Sequence, residues 1–167
     1  MKRIRTPLTE KDILSLKAGD EVLLSGEIYT SRDQAHKRML KKIPLNIKQA
    51  VIYYCGPTKT PPGKIIGSCG PTTSSRMDVF TPLLLKRGLK AMIGKGRRSE
   101  EVRQAIKKYK AVYFLAYAGC GALISKYVQK TRPVAYADLG PEAIYRLEVK
   151  DFPLIVGIDA KGRSIYG

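Results

Sequence analysis

The chain has 167 residues, 44% hydrophobic and 27% charged, which fits one soluble globular domain with a sizeable core. No apolar run approaches the ~18 residues of a membrane span, and the basic Met1–Pro7 start has no apolar stretch behind it, so no secretory leader is expected and the cytoplasm is the default location. Its 31 Lys and Arg against 14 Asp and Glu leave +17, a charge that speaks of partners (nucleic acid, an acidic subunit or small anions) rather than of fold.

In chain order, Thr9-Glu10-Lys11-Asp12 reads as a capped helix start before Ile13, Leu14 and Leu16, with Gly19-Asp20 ending the helix. Glu21–Thr30 reads as extended, with a bulge or close backbone approach at Gly26. Thr30–Asp33 starts a helix whose Ala35, Met39 and Ile43 form one stripe and whose Arg32 and His36 share a face. Ala50–Cys55 is a buried strand stopped by Gly56-Pro57, and Thr58–Gly63 is a loop. Lys64–Gly67 reads as a strand leading into Gly67–Asp78, a loop rich in Gly and hydroxyls, and Val79–Lys86 as the helix leading out to Gly88. Leu89–Ile93 is a strand, and Ser99 with Glu100 and Glu101 caps a helix carrying Val102, Ala105, Ile106 and Tyr109. Ala111–Ala116 is a strand, and Gly119-Cys120-Gly121 opens a helix through Val128. Pro133–Tyr136, Glu142–Val149 and Leu154–Asp159 are extended.

Strands alternate with helices through the middle, and both ends are richer in strand. The expected fold is α/β, a single domain with a mainly parallel central sheet and a second, smaller sheet from the termini. Such sheets bind ligands where loops leave the carboxyl ends of strands. Gly67–Asp78, Gly94-Lys95-Gly96 and Gly119-Cys120-Gly121 are the loops so placed.

The Gly67–Asp78 loop sets backbone N–H groups, four successive hydroxyls and Arg76 at one point, a pocket for an oxyanion or a well-capped turn. Arg32, Arg76 and Lys95 sit after strands or at helix starts, where a cation opposes the helix dipole and an anion between them would compensate; otherwise they are solvated surface charges. Thr72 and Thr73 suit anion donation, proton movement at a lowered pKa, or capping. His36, the single histidine, suits an acid–base group, a substrate hydrogen bond or a packing residue. Asp33 suits a first-turn carboxylate. Cys55, Cys69 and Cys120 make no disulfide framework and no CxxC, leaving buried free thiols or ligands of an iron–sulfur cluster. There is no HExxH, no Walker loop and no close carboxylate pair. Against nucleic acid, the cations are spread along the whole chain, without an aromatic RNA-binding signature or zinc-finger spacing. Anion holders and a hydroxyl without an electrophile suggest half of an active site.

Leu24–His36 (LSGEIYTSRDQAH), Tyr54-Cys55-Gly56-Pro57 and Gly67–Asp78 (GSCGPTTSSRMD) resemble the β subunit of two-subunit class I fumarate hydratases and L-tartrate dehydratases, the C-terminal domain of iron–sulfur-dependent fumarases. Ile93–Gly96, Asp138–Ala143 and Asp151-Phe152-Pro153 match as well, so the likeness runs from Leu8 to Tyr166. The resemblance implies a swivelling β/β/α domain. It implies a hydro-lyase active only with an α subunit that carries a [4Fe–4S] cluster, in a hetero-oligomer such as (αβ)2. It implies fumarate and malate, or tartrate, as the dicarboxylate. It assigns the carboxylates to Arg32, Arg76 and Lys95, the proton at the neighbouring carbon to Thr72, and substrate contact or support of Arg32 to His36. The cluster ligands are expected in the other chain. Cys120 and Pro141 depart from the family pattern without touching a proposed contact.

Overall fold

A computed structural model describes residues 1–116 and 121–167. Strand β1 (Lys2–Arg5) is followed by helix α1 (Glu10–Ser15), whose Thr9 hydroxyl accepts from the Asp12 amide while the Asp12 carboxylate accepts from the Thr9 amide. Strand β2 (Glu21–Thr30), helix α2 (Asp33–Met39) and strand β3 (Val51–Tyr53) come next. A 3-10 turn, Ser74–Met77, precedes helix α3 (Thr81–Lys86). Strand β4 (Ala91–Gly94), helix α4 (Glu100–Tyr109) and strand β5 (Val112–Leu115) follow. The described chain ends with helix α5 (Gly121–Ile124), strand β6 (Val128–Ala135) and strand β7 (Ile144–Ile158).

The expected α/β character holds, and β1 to β5 pair in parallel in sequence order. The expected second sheet does not form. All seven described strands share one sheet, ordered β1-β2-β3-β4-β5-β7-β6, and β7 also pairs with β2. The reason is the length of β7. Its 15 residues run antiparallel to β5, β6 and β2 together, closing β2, β3, β4, β5 and β7 into a five-stranded barrel. Asp151, at φ 51°, breaks the alternation of β7, so that Leu147 and Val149 on one side of it and Phe152, Leu154 and Val156 on the other all face the barrel interior. The partner register slips at the matching point, between Leu24 and Gly26, where the bulge was expected.

Alternate residues serve two cores. Val51, Tyr53, Ile93 and Phe114 point into the barrel. Ile52, Tyr54, Met92 and Tyr113 point outward, where Ala35 and Met39 of α2, Leu84 and Leu85 of α3, and Val102 and Ile106 of α4 cover them. No described helix is long and apolar enough to cross a membrane.

Four further expectations change. Lys64–Gly67 is loop, because the run is short, Ile65 faces solvent, and Gly67 packs so closely on Thr58 that a side chain would overlap it. The helix expected from Val79 starts at Thr81, with Pro82 tolerated in its first turn, and Val79 is left 81% exposed. The helix expected through Val128 ends at Ile124, and a 3-10 turn, Ser125–Tyr127, leads into β6 at Val128. Arg32 is the extended N-cap of α2 rather than a residue on its face. Gly119 and Cys120 of the Gly119-Cys120-Gly121 loop lie outside the described residues.

Candidate functional site

The chain leaves β2 at Thr30, β3 at Tyr53 and β4 at Gly94, and the Thr72–Asp78 segment crosses these carboxyl ends. Backbone bonds fasten it there. The Thr72 amide donates to the Tyr54 carbonyl oxygen (2.7 Å) and the Ser74 amide to that of Lys95 (2.9 Å). Thr73 and Lys95 form a parallel bridge. A side chain at Gly94 would overlap Ser74 Oγ, so Ser74 fills the space that this glycine leaves. The loop was expected to offer free amides and a helix dipole. Instead the Thr72 and Ser74 amides are already bonded, and only a four-residue 3-10 turn follows. Those two amides fasten the loop to the strand ends rather than facing a ligand.

Each expected residue has a defined place. Thr72 is half-buried, Arg76 exposed on the 3-10 turn, and Lys95 half-buried just past β4. The Arg76 guanidinium meets Asp33 Oδ2 at 3.0 Å, tying the turn to the first residue of α2. Arg32 packs on the bare backbone of Gly56, where a Cβ would lie 2.9 Å from Arg32 Cδ and 3.1 Å from the Pro141 carbonyl oxygen. All five thus gather around one end of the barrel, Arg32 and His36 at the β2–β3 exit and Thr72, Arg76 and Lys95 at the β3–β4 exit. A cleft of about 400 Å³, lined by Arg5, Gly26, Tyr29, Lys48, Ala50 and Glu148 among others, lies near the start of β3 and includes none of them.

His36 is fully buried, and burial lowers its pKa to about 4, so it is neutral near pH 7. Its Nδ1 lies 2.8 Å from Ser31 Oγ, which can donate or accept, and 2.9 Å from the Arg32 carbonyl oxygen, which only accepts and so suits a proton on Nδ1. That contact supports Arg32 through its backbone. His36 Nε2, Arg32 Nε and Asp33 Oδ1 are buried without a hydrogen-bond partner among the described residues. Such orphans within five residues suit a site that a bound molecule completes.

Sequence reasoning missed the pair Asp78–Arg98. The Arg98 side chain is fully enclosed and its Nε donates to Asp78 Oδ1 at 2.6 Å. Asp78 Oδ2 accepts from the Ser99 amide at 2.7 Å. The signal was present: Arg98 directly precedes a helix-capping serine, where a cation opposes the dipole unless a carboxylate answers it.

Cys55 and Cys69 are buried free thiols in the barrel core, and Tyr53 donates to the Cys69 carbonyl oxygen. A hydrogen bond to Cys69, then burial, holds the Cys55 pKa well above the usual thiol range. A thiol kept protonated in an apolar core does not suit cluster ligation. Among the described residues no group of three His, Cys, Asp or Glu stands together.

Comparison with known proteins completes the description. The family described as fumarase C-terminus matches residues 2–167. A Methanocaldococcus jannaschii protein provisionally named L(+)-tartrate dehydratase subunit beta is 40% identical over 171 residues, covering 95% of this chain and 88% of its own. The Escherichia coli K12 class I anaerobic fumarate hydratase is 39% identical over 151 residues, 86% of this chain and 28% of its own. Leishmania major fumarate hydratase 2 is 37% identical over 156 residues, 89% of this chain and 28% of its own. The chain therefore spans most of the archaeal relative and little over a quarter of the two fumarate hydratases.

Proposed function

From its membership in the fumarase C-terminus family, we propose that this chain is the β subunit of a hydro-lyase that interconverts fumarate and (S)-malate. One arrangement carries the reading. Thr72, Arg76 and Lys95 are drawn to the same strand ends by the Thr73–Lys95 bridge and by the Asp33–Arg76 pair beside Arg32.

Arg32, Arg76 and Lys95 bind the two carboxylates. Removing a proton from the carbon beside a carboxylate spreads extra negative charge onto that carboxylate. Cations already in position stabilise that charge without reorganising, commonly the largest single catalytic contribution. Thr72 takes that proton in the direction of dehydration and returns it in hydration, its hydroxyl acidified by the surrounding cations. Neutral His36 holds the Arg32 backbone, and its Nε2 is a buried group without a partner among the described residues. A [4Fe–4S] cluster on a companion α subunit supplies the Lewis acidity for the departing hydroxyl. Cys55 and Cys69, both buried in the barrel core, do not suit it.

The companion covers the open end, where Arg76 and Val79 are exposed. The closed barrel, with its candidate groups at one end, suits a body that swivels as a unit against that partner in an (αβ)2-type assembly. The +17 charge draws dicarboxylates toward it, an effect that salt weakens. A second substrate reading has its own support. The relative covered over 88% of its length carries a tartrate dehydratase name, and dehydration of tartrate asks the same of these residues.

Co-expression with the α chain, anaerobic reconstitution, and turnover on malate and tartrate side by side test the reading. Thr72→Ala is expected to lower kcat by about 10²–10⁴, and Arg76→Ala to raise KM and lower kcat. Turnover of neither acid, or full activity in both variants, overturns it, the latter leaving a scaffold role.

A further inference from the structure

We propose that Arg98 is a positioning residue that sets Thr72, Arg76 and Lys95 in register with one another, through Asp78 and two buried tyrosines. This assignment deepens the hydro-lyase reading and rests on it for the roles of those three groups.

Arg98 lies in the segment between β4 and α4 that also carries Lys95, yet its side chain turns inward and is fully enclosed. Apart from a contact of one terminal nitrogen with Met92 Sδ of β4, its polar contacts lead to the crossing segment or to the groups that hold it. Nε holds Asp78, the residue capping the 3-10 turn that bears Arg76, at 2.6 Å. One terminal nitrogen donates to Thr81 Oγ1 at 2.9 Å and to the Tyr54 hydroxyl at 3.1 Å. The guanidinium carbon lies 5.2 Å from the Tyr54 ring centroid and 4.8 Å from that of Tyr113. Tyr54 is the residue whose carbonyl oxygen receives the Thr72 amide. The Tyr113 hydroxyl is 2.7 Å from Ser74 Oγ and 2.8 Å from the Gly96 carbonyl oxygen.

One cation thus touches the fastening of Thr72, the fastening of Ser74 and the cap of the Arg76 turn, and its own backbone continues to Lys95. Its planar fork satisfies several directions at once, which a lysine ammonium does not. Removing it leaves Asp78 partly buried beside an unfilled space. A shift of about 1 Å in groups that hold a reacting substrate costs about a hundredfold in rate.

The test uses the full-length chain and the assembled enzyme with Arg98→Met, Arg98→Lys and Asp78→Asn. Hydrogen exchange in the full chain is expected to speed up at the Thr72 and Ser74 amides in Arg98→Met and Asp78→Asn, with barrel amides such as Leu24 and Val149 unchanged. In the assembly, Arg98→Met is expected to lower kcat about a hundredfold with a smaller change in KM, and Arg98→Lys to restore part of it. Unchanged exchange at Thr72 and Ser74, equal acceleration across the sheet, or wild-type kcat in Arg98→Met overturns the assignment. Should Arg98→Met not fold, Asp78→Asn, which keeps the shape, decides by the same exchange measurement. Failure of the wild-type assembly to turn over either acid would sink the hydro-lyase reading, while the exchange data still decide whether Arg98 holds this segment.

Discussion

Tyr53 and Tyr54 are neighbours in sequence, both fully buried, and they belong to different interiors. Tyr53 points into the barrel beside Phe152, ring centroids 5.5 Å apart, and its hydroxyl meets the Cys69 carbonyl oxygen among apolar side chains. Tyr54 points outward, edge-on to His36 and under the Arg98 guanidinium, in a layer threaded by Asp78, Thr81 and Ser74. The first interior is filled by shape, the second by partners. A missing methylene in the first leaves a void that neighbours partly close. A missing partner in the second leaves a buried polar group with nothing to bond. The apolar side holds the barrel shut, and the polar side fixes where the crossing segment lies.

The largest test of that division is Phe152→Ala. It is expected to cost about 3–5 kcal/mol in urea unfolding of the chain, while turnover per folded molecule in the assembly stays at the wild-type level. A comparable kinetic loss would show that the two interiors are not separable.

A somewhat smaller effect is expected from pH. The His36 pKa is about 4 when folded, against an ordinary value of 6.5, with burial as the main cause. Its folded pKa is depressed, so the unfolded chain takes up the proton first. The stabilisation is present above pH 6.5, shrinks as pH falls from 6.5 to 4, and is gone below 4. The span corresponds to on the order of 3 kcal/mol. His36→Gln should flatten unfolding free energy over that window, and an unchanged slope would remove His36 as its source.

The smallest expected effect on the chain alone belongs to Val79, 81% exposed on the open end. Val79→Ser should alter unfolding by less than about 0.5 kcal/mol, yet weaken association with the α subunit measured by titration calorimetry. Unaltered association would place the covered surface elsewhere.

Much of this was legible in the residues. Thr9 with Asp12, Ser99 with its two glutamates, and the Gly26 bulge are local signals, and each falls where the chain order placed it. Closure of the barrel was not legible, because it comes from one long strand pairing with both β2 and β5, contacts distant in sequence that no local pattern announces. The late start of α3 depended on Pro82, whose tolerance in a first turn competes with the apolar pattern before it. The candidate groups were readable from motif and family resemblance, but their supports were not. Asp33 meets Arg76 across 43 positions, and Arg98 meets Tyr54 across 44.

The bare α-carbon of Gly94 has a consequence of its own. Ser74 seats where any side chain there would project, so the sheet acts as a ruler for the segment above it. A single methyl at that spot would have to displace the Ser74 hydroxyl and crowd the Tyr54 ring, with no change in Thr72 or Arg76 themselves. The spacing between anchors is measured from beneath, by an atom that is not there.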